Sequence, residues 1–260
     1  MNKKPNILVS NDDGIDAEGL HRLANELKKF ANVYVSAPNR QQSSVGHSIS
    51  IYYSLRAFRY KKDNKFFGWA VEGTPADAVK LGVLFLYKDI KFDLVVSGIN
   101  NGANSALAII YSGTVSAATE GTVLRIPSVA LSLVSSKRND FKSTARLSAK
   151  IIKQLVIDNR NHLTSSTLLN INFPPVPKNK IKGIRVTKQG KSNWSDRYEV
   201  RSDPNGREYY WLKGRMNVLD KENDTDVIAL RQNYISITPL HYDLTDYHKL
   251  QEIELWDLKI

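Results

Sequence analysis

Short aliphatic and β-branched runs alternate with segments whose apolar positions recur every three or four residues, from Asn6 to about Phe173. That alternation predicts a parallel sheet with crossover helices. Residues 7–10 read as the first strand, and Leu20, Leu23, Ala24 and Leu27 mark one face of the helix that follows. Residues 33–37 read as a second strand stopped by Pro38, with a polar loop over 39–47. Residues 48–71 read as an extended, basic β excursion from the sheet. Thr74-Pro75-Ala76-Asp77 predicts a helix start: Thr caps, Pro suits the first helical position, and the acid at the third completes a capping box. A strand over 93–97, a helix beginning after Ser112-Gly113-Thr114 and running to about Leu124, a strand over 128–133, a helix near 142–157 and a strand over 168–173 follow. Pro174-Pro175-Val176-Pro177 closes the unit.

The remainder differs in kind. Asp203-Pro204-Asn205-Gly206 reads as a turn between two aromatic, β-prone runs, 197–201 and 207–212, which predicts a hairpin. An isolated hairpin is marginally stable, so this one is expected to pack on its own core or on a partner subunit. Residues 234–238 alternate as a further strand, and the tail from Asp246 reads as a modest helix.

The first strand ends in Ser10-Asn11-Asp12-Asp13-Gly14. Ligands of open parallel sheets bind beyond the strand C-termini, and two adjacent carboxylates there are costly unless a cation joins them. With no sulfur or imidazole nearby, the pair favours a hard ion such as Mg²⁺ or Mn²⁺. A single Asp in such a loop can equally be a helix cap, but Asp16 is better placed to cap the next helix. Ser43, Asn100 and the run from Tyr111 to Thr114 sit in loops at the same expected sheet edge. Asp12, Asp13, a serine hydroxyl and an asparagine carbonyl form an all-oxygen set of charge −2, which suits one divalent ion with positions open for water and phosphate. Ser112-Gly113-Thr114 at a helix start offers hydroxyls, backbone N–H groups and the positive end of the helix dipole, an arrangement for a phosphate monoester. Taken alone it is also an ordinary capping sequence.

Composition narrows the classes. In 260 residues, 42% hydrophobic and 24% charged content is ordinary for a globular protein of one large or two small domains. No apolar run approaches the roughly 18 residues of a membrane span, and no signal peptide opens the sequence, so the expectation is a cytoplasmic protein without a membrane partner. The absence of cysteine excludes disulfides, thiolate metal sites and cysteine nucleophiles. A net charge of +11 invites a nucleic-acid reading. The lysines are spread along the chain, however, and the densest stretch, Lys178 to Lys191, has no nucleic-acid motif and only Trp194 as a nearby aromatic, so no dedicated nucleic-acid site is expected. A receiver-like signalling module would also bind Mg²⁺ through an acidic pair, but it needs a third carboxylate where this chain offers Ser43 and Asn100. The alternating Asp-x-Asp of aspartyl-phosphate chemistry is absent too.

Several motifs in order resemble the SurE (survival protein E) family of bacterial nucleotidases and acid phosphatases: Ser10-Asn11-Asp12-Asp13-Gly14, Ala37-Pro38 with Ser43 five residues on, and Gly73-Thr74-Pro75-Ala76-Asp77. With them go Val96-Ser97-Gly98-Ile99-Asn100 with Asn104, Tyr111-Ser112-Gly113-Thr114-Val115, the stretch from Ile181 to Thr187, and Ser236-Ile237-Thr238-Pro239-Leu240-His241. The resemblance covers nearly the whole chain. It implies a Rossmann-like α/β fold, a mostly parallel sheet with flanking helices and a C-terminal β-hairpin extension. It also implies a metal-dependent 5′-nucleotidase that removes phosphate from nucleoside 5′-monophosphates by metal-activated water attack, with 3′-monophosphates and short polyphosphate as further candidates. By the same resemblance one Mg²⁺ or Mn²⁺ rests on Asp12, Asp13, Ser43 and Asn100, with Asp12 and Asp13 also catalytic, and phosphate is bound by Asn104, Ser112, Gly113 and Thr114. His241 becomes a residue at the edge of the site, while His47 lies in the Ser43 loop without an assigned role. The expected organisation is a single domain over 1–260, with a core of about 1–177 plus 218–245. A hairpin of about 192–217 is exchanged between subunits of a homodimer or homotetramer. One position departs from the family pattern: Ser44 stands where glycine is usual, and serine adopts positive φ less readily, which bears on the conformation of the Ser43 loop.

Overall fold

A computed structural model describes residues 4–136 and 139–258. The first half runs β1 (Asn6–Ser10), α1 (Glu18–Leu27), β2 (Asn32–Pro38), β3 (Ala57–Lys62), β4 (Lys65–Val71), α2 (Pro75–Leu81), β5 (Leu94–Asn101), α3 (Ala108–Tyr111) and α4 (Gly113–Val123). It continues through β6 (Ser128–Leu133), α5 (Phe141–Lys153), β7 (Leu168–Phe173), β8 (Gly183–Val186), β9 (Asn193–Trp194), β10 (Arg197–Ser202), β11 (Glu208–Lys213), β12 (Met216–Asn217), α6 (Asp226–Arg231), β13 (Tyr234–Leu240) and α7 (Tyr247–Ile253).

Among the described residues nine strands form one sheet, in the order β3-β4-β2-β1-β5-β6-β7-β13-β8. The six central strands from β4 to β7 are all parallel, while β3 and β13 pair antiparallel with β4 and β7. The chain therefore leaves β1 toward β2 and β4, then returns to lay β5 against the other side of β1. Strand order reverses between β1 and β5, and that is the crevice where open α/β sheets bind ligands.

Alternation within β1 divides the core. Ile7 and Val9 pack with Leu20, Leu23 and Leu27 of α1 and Ile152 of α5 on one face. Leu8 packs on the other with Val79 of α2 and Ala117 of α4. Helix α4 is seated closely because Gly121 has no side chain: a Cβ there would fall 2.4 Å from Ser128 Oγ and 2.8 Å from Val95 Cβ.

The capping box predicted at Thr74 is formed: its Oγ1 accepts from Asp77 N–H at 3.0 Å, and Asp77 Oδ2 accepts from Thr74 N–H at 3.0 Å. Asp16 does not cap α1. Ala17 holds the N-cap position without a side-chain bond, and Asp16 instead accepts from the Tyr60 hydroxyl, because β3 reaches across the loop after β1. Strand β5 runs past the predicted end to Asn101, through a bulge between Ser97 and Asn100. Neither α3 nor β8 was expected from the sequence pattern; β8 extends the sheet beyond β13.

The predicted hairpin is present. β10 and β11 pair from Arg197↔Lys213 to Ser202↔Glu208, and β9 with β12 continues the ladder toward the core. Gly206 (φ +78°) closes the turn, with its N–H donated to Asp203 O at 2.9 Å. Tyr198, Tyr210 and Trp211 on it are exposed.

Gly121→Ala is expected to lower unfolding stability by about 1–3 kcal/mol, since overpacking forces backbone shifts. Chemical denaturation checks this; an unchanged midpoint would mean that α4 is not held at the distance its glycine allows.

Candidate active site

Beyond β1, Asp12 is 4% exposed and Asp13 half-buried. Gly14 (φ +96°) turns the chain beneath them, where the Arg40 backbone leaves only 3.1 Å for a Cβ. Each carboxylate meets a protein donor. Thr114 Oγ1 donates to Asp12 Oδ1, and the Asn101 N–H at the end of β5 donates to Asp13 Oδ2 at 3.2 Å. Each acid is thus tied across the crevice to a different element, and each keeps acceptor capacity for a cation.

The start of α4 presses on Asp12. A Cβ at Gly113 would lie 2.7 Å from Asp12 Cβ, so only glycine allows this approach. Ser112 is the N-cap of α4 and accepts from Val115 N–H at 3.1 Å. The structure therefore assigns definite local duties to the expected phosphate loop: Ser112 caps, and the Thr114 hydroxyl is donated to Asp12. The Gly113 N–H at the first helical position and the positive end of the dipole still face this edge.

Ser43 stands on the polar loop after β2 and is exposed. Gln42 N–H donates to the Asp12 carbonyl at 2.7 Å, which brings the loop to the acidic pair, and Ser43 Oγ accepts from Gln41 Nε2 at 2.8 Å. Ser44 does take the left-handed conformation, φ +58°. The loop thus keeps a glycine-like path with a serine in it.

Asn100 leaves the β5 bulge half-buried, with Nδ2 donated to the Gly102 carbonyl at 2.9 Å. That bond uses a donor and leaves the Oδ1 with its acceptor capacity. Asn104 is buried and held on every side: its N–H donates to Asn172 Oδ1 at 2.9 Å, its Nδ2 to Ser132 Oγ at 2.8 Å, and its carbonyl accepts from Asn170 and Asn172. His241 does not fit the edge expected of it. It follows β13, which runs antiparallel to β7 with Leu240 opposite Leu168, so the chain there is heading away from the Asp12 edge.

Two carboxylates crowded into low dielectric resist ionisation. Burial, with the Asp13 charge adding to it, pushes Asp12 up to about 6 against the help of the Thr114 hydroxyl, and burial raises Asp13 as well. A divalent cation reverses this preference. The donors fit a hard ion: two carboxylates, an amide oxygen and a hydroxyl, with no three His, Cys, Asp or Glu side chains gathered for a metal among the described residues. Ser10 Oγ, Asn11 Oδ1 and Ser97 Oγ, at the same strand ends, are buried and unpartnered.

Asn101, Gln42, Ser132, Asn170 and Asn172 were not anticipated. The signal for the last two lies in β7 itself: Asn at alternate positions of an otherwise apolar strand marks a polar demand on one face.

The raised Asp12 has a consequence for stability. The folded state holds this proton more tightly than the unfolded chain, so the contribution is complete below about pH 4 and is lost as pH rises through about 6. In chelator-treated protein at pH 8, Asp12→Asn should therefore raise stability by roughly 1–3 kcal/mol over wild type. Thermal melts should show the gap closing near pH 4, and excess Mn²⁺ should restore wild type as the more stable protein at pH 8. A gap independent of pH would refute an electrostatic origin.

Residues 7–196 match the family model described as survival protein SurE. The 5′-nucleotidase SurE of Pelotomaculum thermopropionicum is 46% identical over 95% of this chain and 93% of its own. That of Chlorobaculum tepidum is 41% identical over 99% of this chain and 96% of its own. The crystal structure of the SurE protein from Aquifex aeolicus superposes with a TM-score of 0.82 at 38% identity, covering 96% of this chain and 98% of that one. With the acidic pair, the β5 asparagine and the glycine-seated helix gathered at one switch point, the chain belongs to the SurE family.

Proposed function

We propose that the protein is a metal-dependent phosphohydrolase of nucleoside 5′-monophosphates that uses one Mg²⁺ or Mn²⁺ ion. The main support is the convergence of Asp12, Asp13 and Asn100 where β1 and β5 part, under the N-terminus of α4. Relatives of nearly equal length carry the name 5′-nucleotidase. Asp12, Asp13, Asn100 and Ser43 would hold the ion, which when bound supplies positive charge to a phosphoryl oxygen and acidity to water.

The chain's own groups do the rest. The Gly113 N–H and the α4 dipole stabilise charge on the equatorial phosphoryl oxygens. Asn104 adds the second hydrogen of its amide, the first being held by Ser132. Because Asn104 is clamped by Asn170 and Asn172, that donor is preorganised. One of the two aspartates accepts the proton of the attacking water. The net charge of +11 raises the encounter rate with anionic substrates.

Free phosphate should be released from AMP or GMP with Mn²⁺ or Mg²⁺, and a chelator should abolish it. Asp12→Asn and Asp13→Asn should each cut kcat by at least about a hundredfold in folded protein. Near-normal turnover in both variants would sink the assignment, as would tight, salt-dependent polyanion binding without turnover.

The assembly reading is a homodimer or homotetramer in which residues of about 192–217 are exchanged. Aromatic side chains that bury 150–250 Å² each when packed are left in water on β10 and β11, as are Leu244, Leu255 and Leu258 in the C-terminal region. A symmetric exchange covers such surface. Size-exclusion chromatography with light scattering should give an oligomer for the full chain and a smaller species when 196–212 is removed. A full-length monomer of 29.3 kDa would end this reading.

A further inference from the structure

Glu120 lies on α4 beyond the end that meets Asp12, and it is only 2% exposed. A buried carboxylate needs compensating partners. Lys80 Nζ, from the last turn of α2, is 2.6 Å from Glu120 Oε1, and His47 Nε2 donates to Oε2 at 2.9 Å. Burial pushes the Glu120 carboxyl up, but the His47 and Lys80 contacts outweigh it and hold the group below the ordinary glutamate range. Lys80 supplies the counter-charge, while His47 completes the hydrogen bonding of the carboxylate and in doing so ties a surface loop to a fixed internal anchor.

That loop is the one carrying Ser43. Its near end is fixed to Asp12 by the Gln42 N–H, and its far end reaches Glu120 through His47. Asp12 and Glu120 are both read against the same helix. Thr114 touches Asp12, and six residues at 1.5 Å each place Glu120 about 9 Å farther along α4. Between the two ties, Ser44 and Gly46 adopt φ +58° and +59°. A serine does not favour that conformation, so tertiary contacts, rather than local preference, must hold the turn. Gly46 N–H to Tyr111 O at 3.2 Å is another such contact, and farther along the Ser48 carbonyl is held by Thr74 and the Ser50 hydroxyl by the buried Asp77; His47 is the side chain nearest to Ser43 in sequence that meets a buried charge.

We propose that His47 is a positioning residue for the metal site: its bond to Glu120 sets the turn of residues 43–46 over Asp12 and so places Ser43 Oγ. This rests on the reading of Ser43 as a metal ligand.

The test compares wild type, His47→Ala and His47→Gln for Mn²⁺ affinity by titration calorimetry and for amide exchange across 44–46, with Asp13→Asn as the control. His47→Ala should weaken Mn²⁺ binding about tenfold and speed exchange of those amides. The melting temperature of the metal-free protein should fall modestly, because Glu120 keeps its Lys80 counter-charge but loses a hydrogen-bond donor in a buried place. His47→Gln, which keeps an N–H donor of similar reach, should recover most of both losses. Wild-type Mn²⁺ affinity in His47→Ala, or equal loss in both variants, would overturn the proposal. If wild type and Asp13→Asn alike bind no Mn²⁺, the metal reading itself fails and takes this proposal with it.

Discussion

Two like charges at one strand end, with a helix pressed against them, are the constraint on which the rest of the molecule depends. Asp12 and Asp13 cannot relax apart, because each is bonded to a different wall of the crevice: Asp12 to Thr114 on α4, Asp13 to the Asn101 N–H on β5. Holding like carboxylates together in low dielectric raises their affinity for protons. The same cost is the physical ground for the proposed metal site, since a hard divalent ion would satisfy both at once.

The scaffold is built to keep that arrangement from yielding. Glycines bring backbones together where a side chain would hold them apart: Gly121 seats α4 on β5 and β6, and Gly113 seats its first turn on Asp12. The polar residues on β6 and β7 act at the next layer. Ser132, Asn170 and Asn172 fix Asn104, so that a donor on an irregular segment is as well placed as one on a strand. Asp220 and Asp226 serve the neighbouring loops in the same way, Asp226 accepting from the Ala106 and Gly190 N–H groups and Asp220 from the Lys191 and Ser192 N–H groups. Buried polar networks of this kind add order where regular secondary structure stops.

Not all of the chain is so constrained. The hairpin of β10 and β11 is regular in its hydrogen bonding, yet its aromatic faces stay in solvent. Backbone pairing alone builds the element; what its side chains pack against is a separate question, and a partner subunit is the answer proposed.

Local physics made much of this protein legible in one dimension. The alternation of buried strands and amphipathic helices announced a parallel sheet, the Thr74-Pro75-Ala76-Asp77 box announced its helix, and paired acids behind the first strand marked the place where a cation site is proposed. Those signals are short-ranged, carried by periodicity, capping and charge within a few residues. Ser112 read by itself as a cap, with phosphate binding added by the family resemblance, and it does cap α4 through the nearby Val115 N–H. Asp16 looked like a cap until β3 brought Tyr60 to it. His241 looked close to the site until β13 proved antiparallel. His47 gave no sign of its partner, because Glu120 is 73 residues away. The last three were decided by which distant element came to lie alongside, and no local pattern encodes that: strand order, strand direction and the seating of one helix set it.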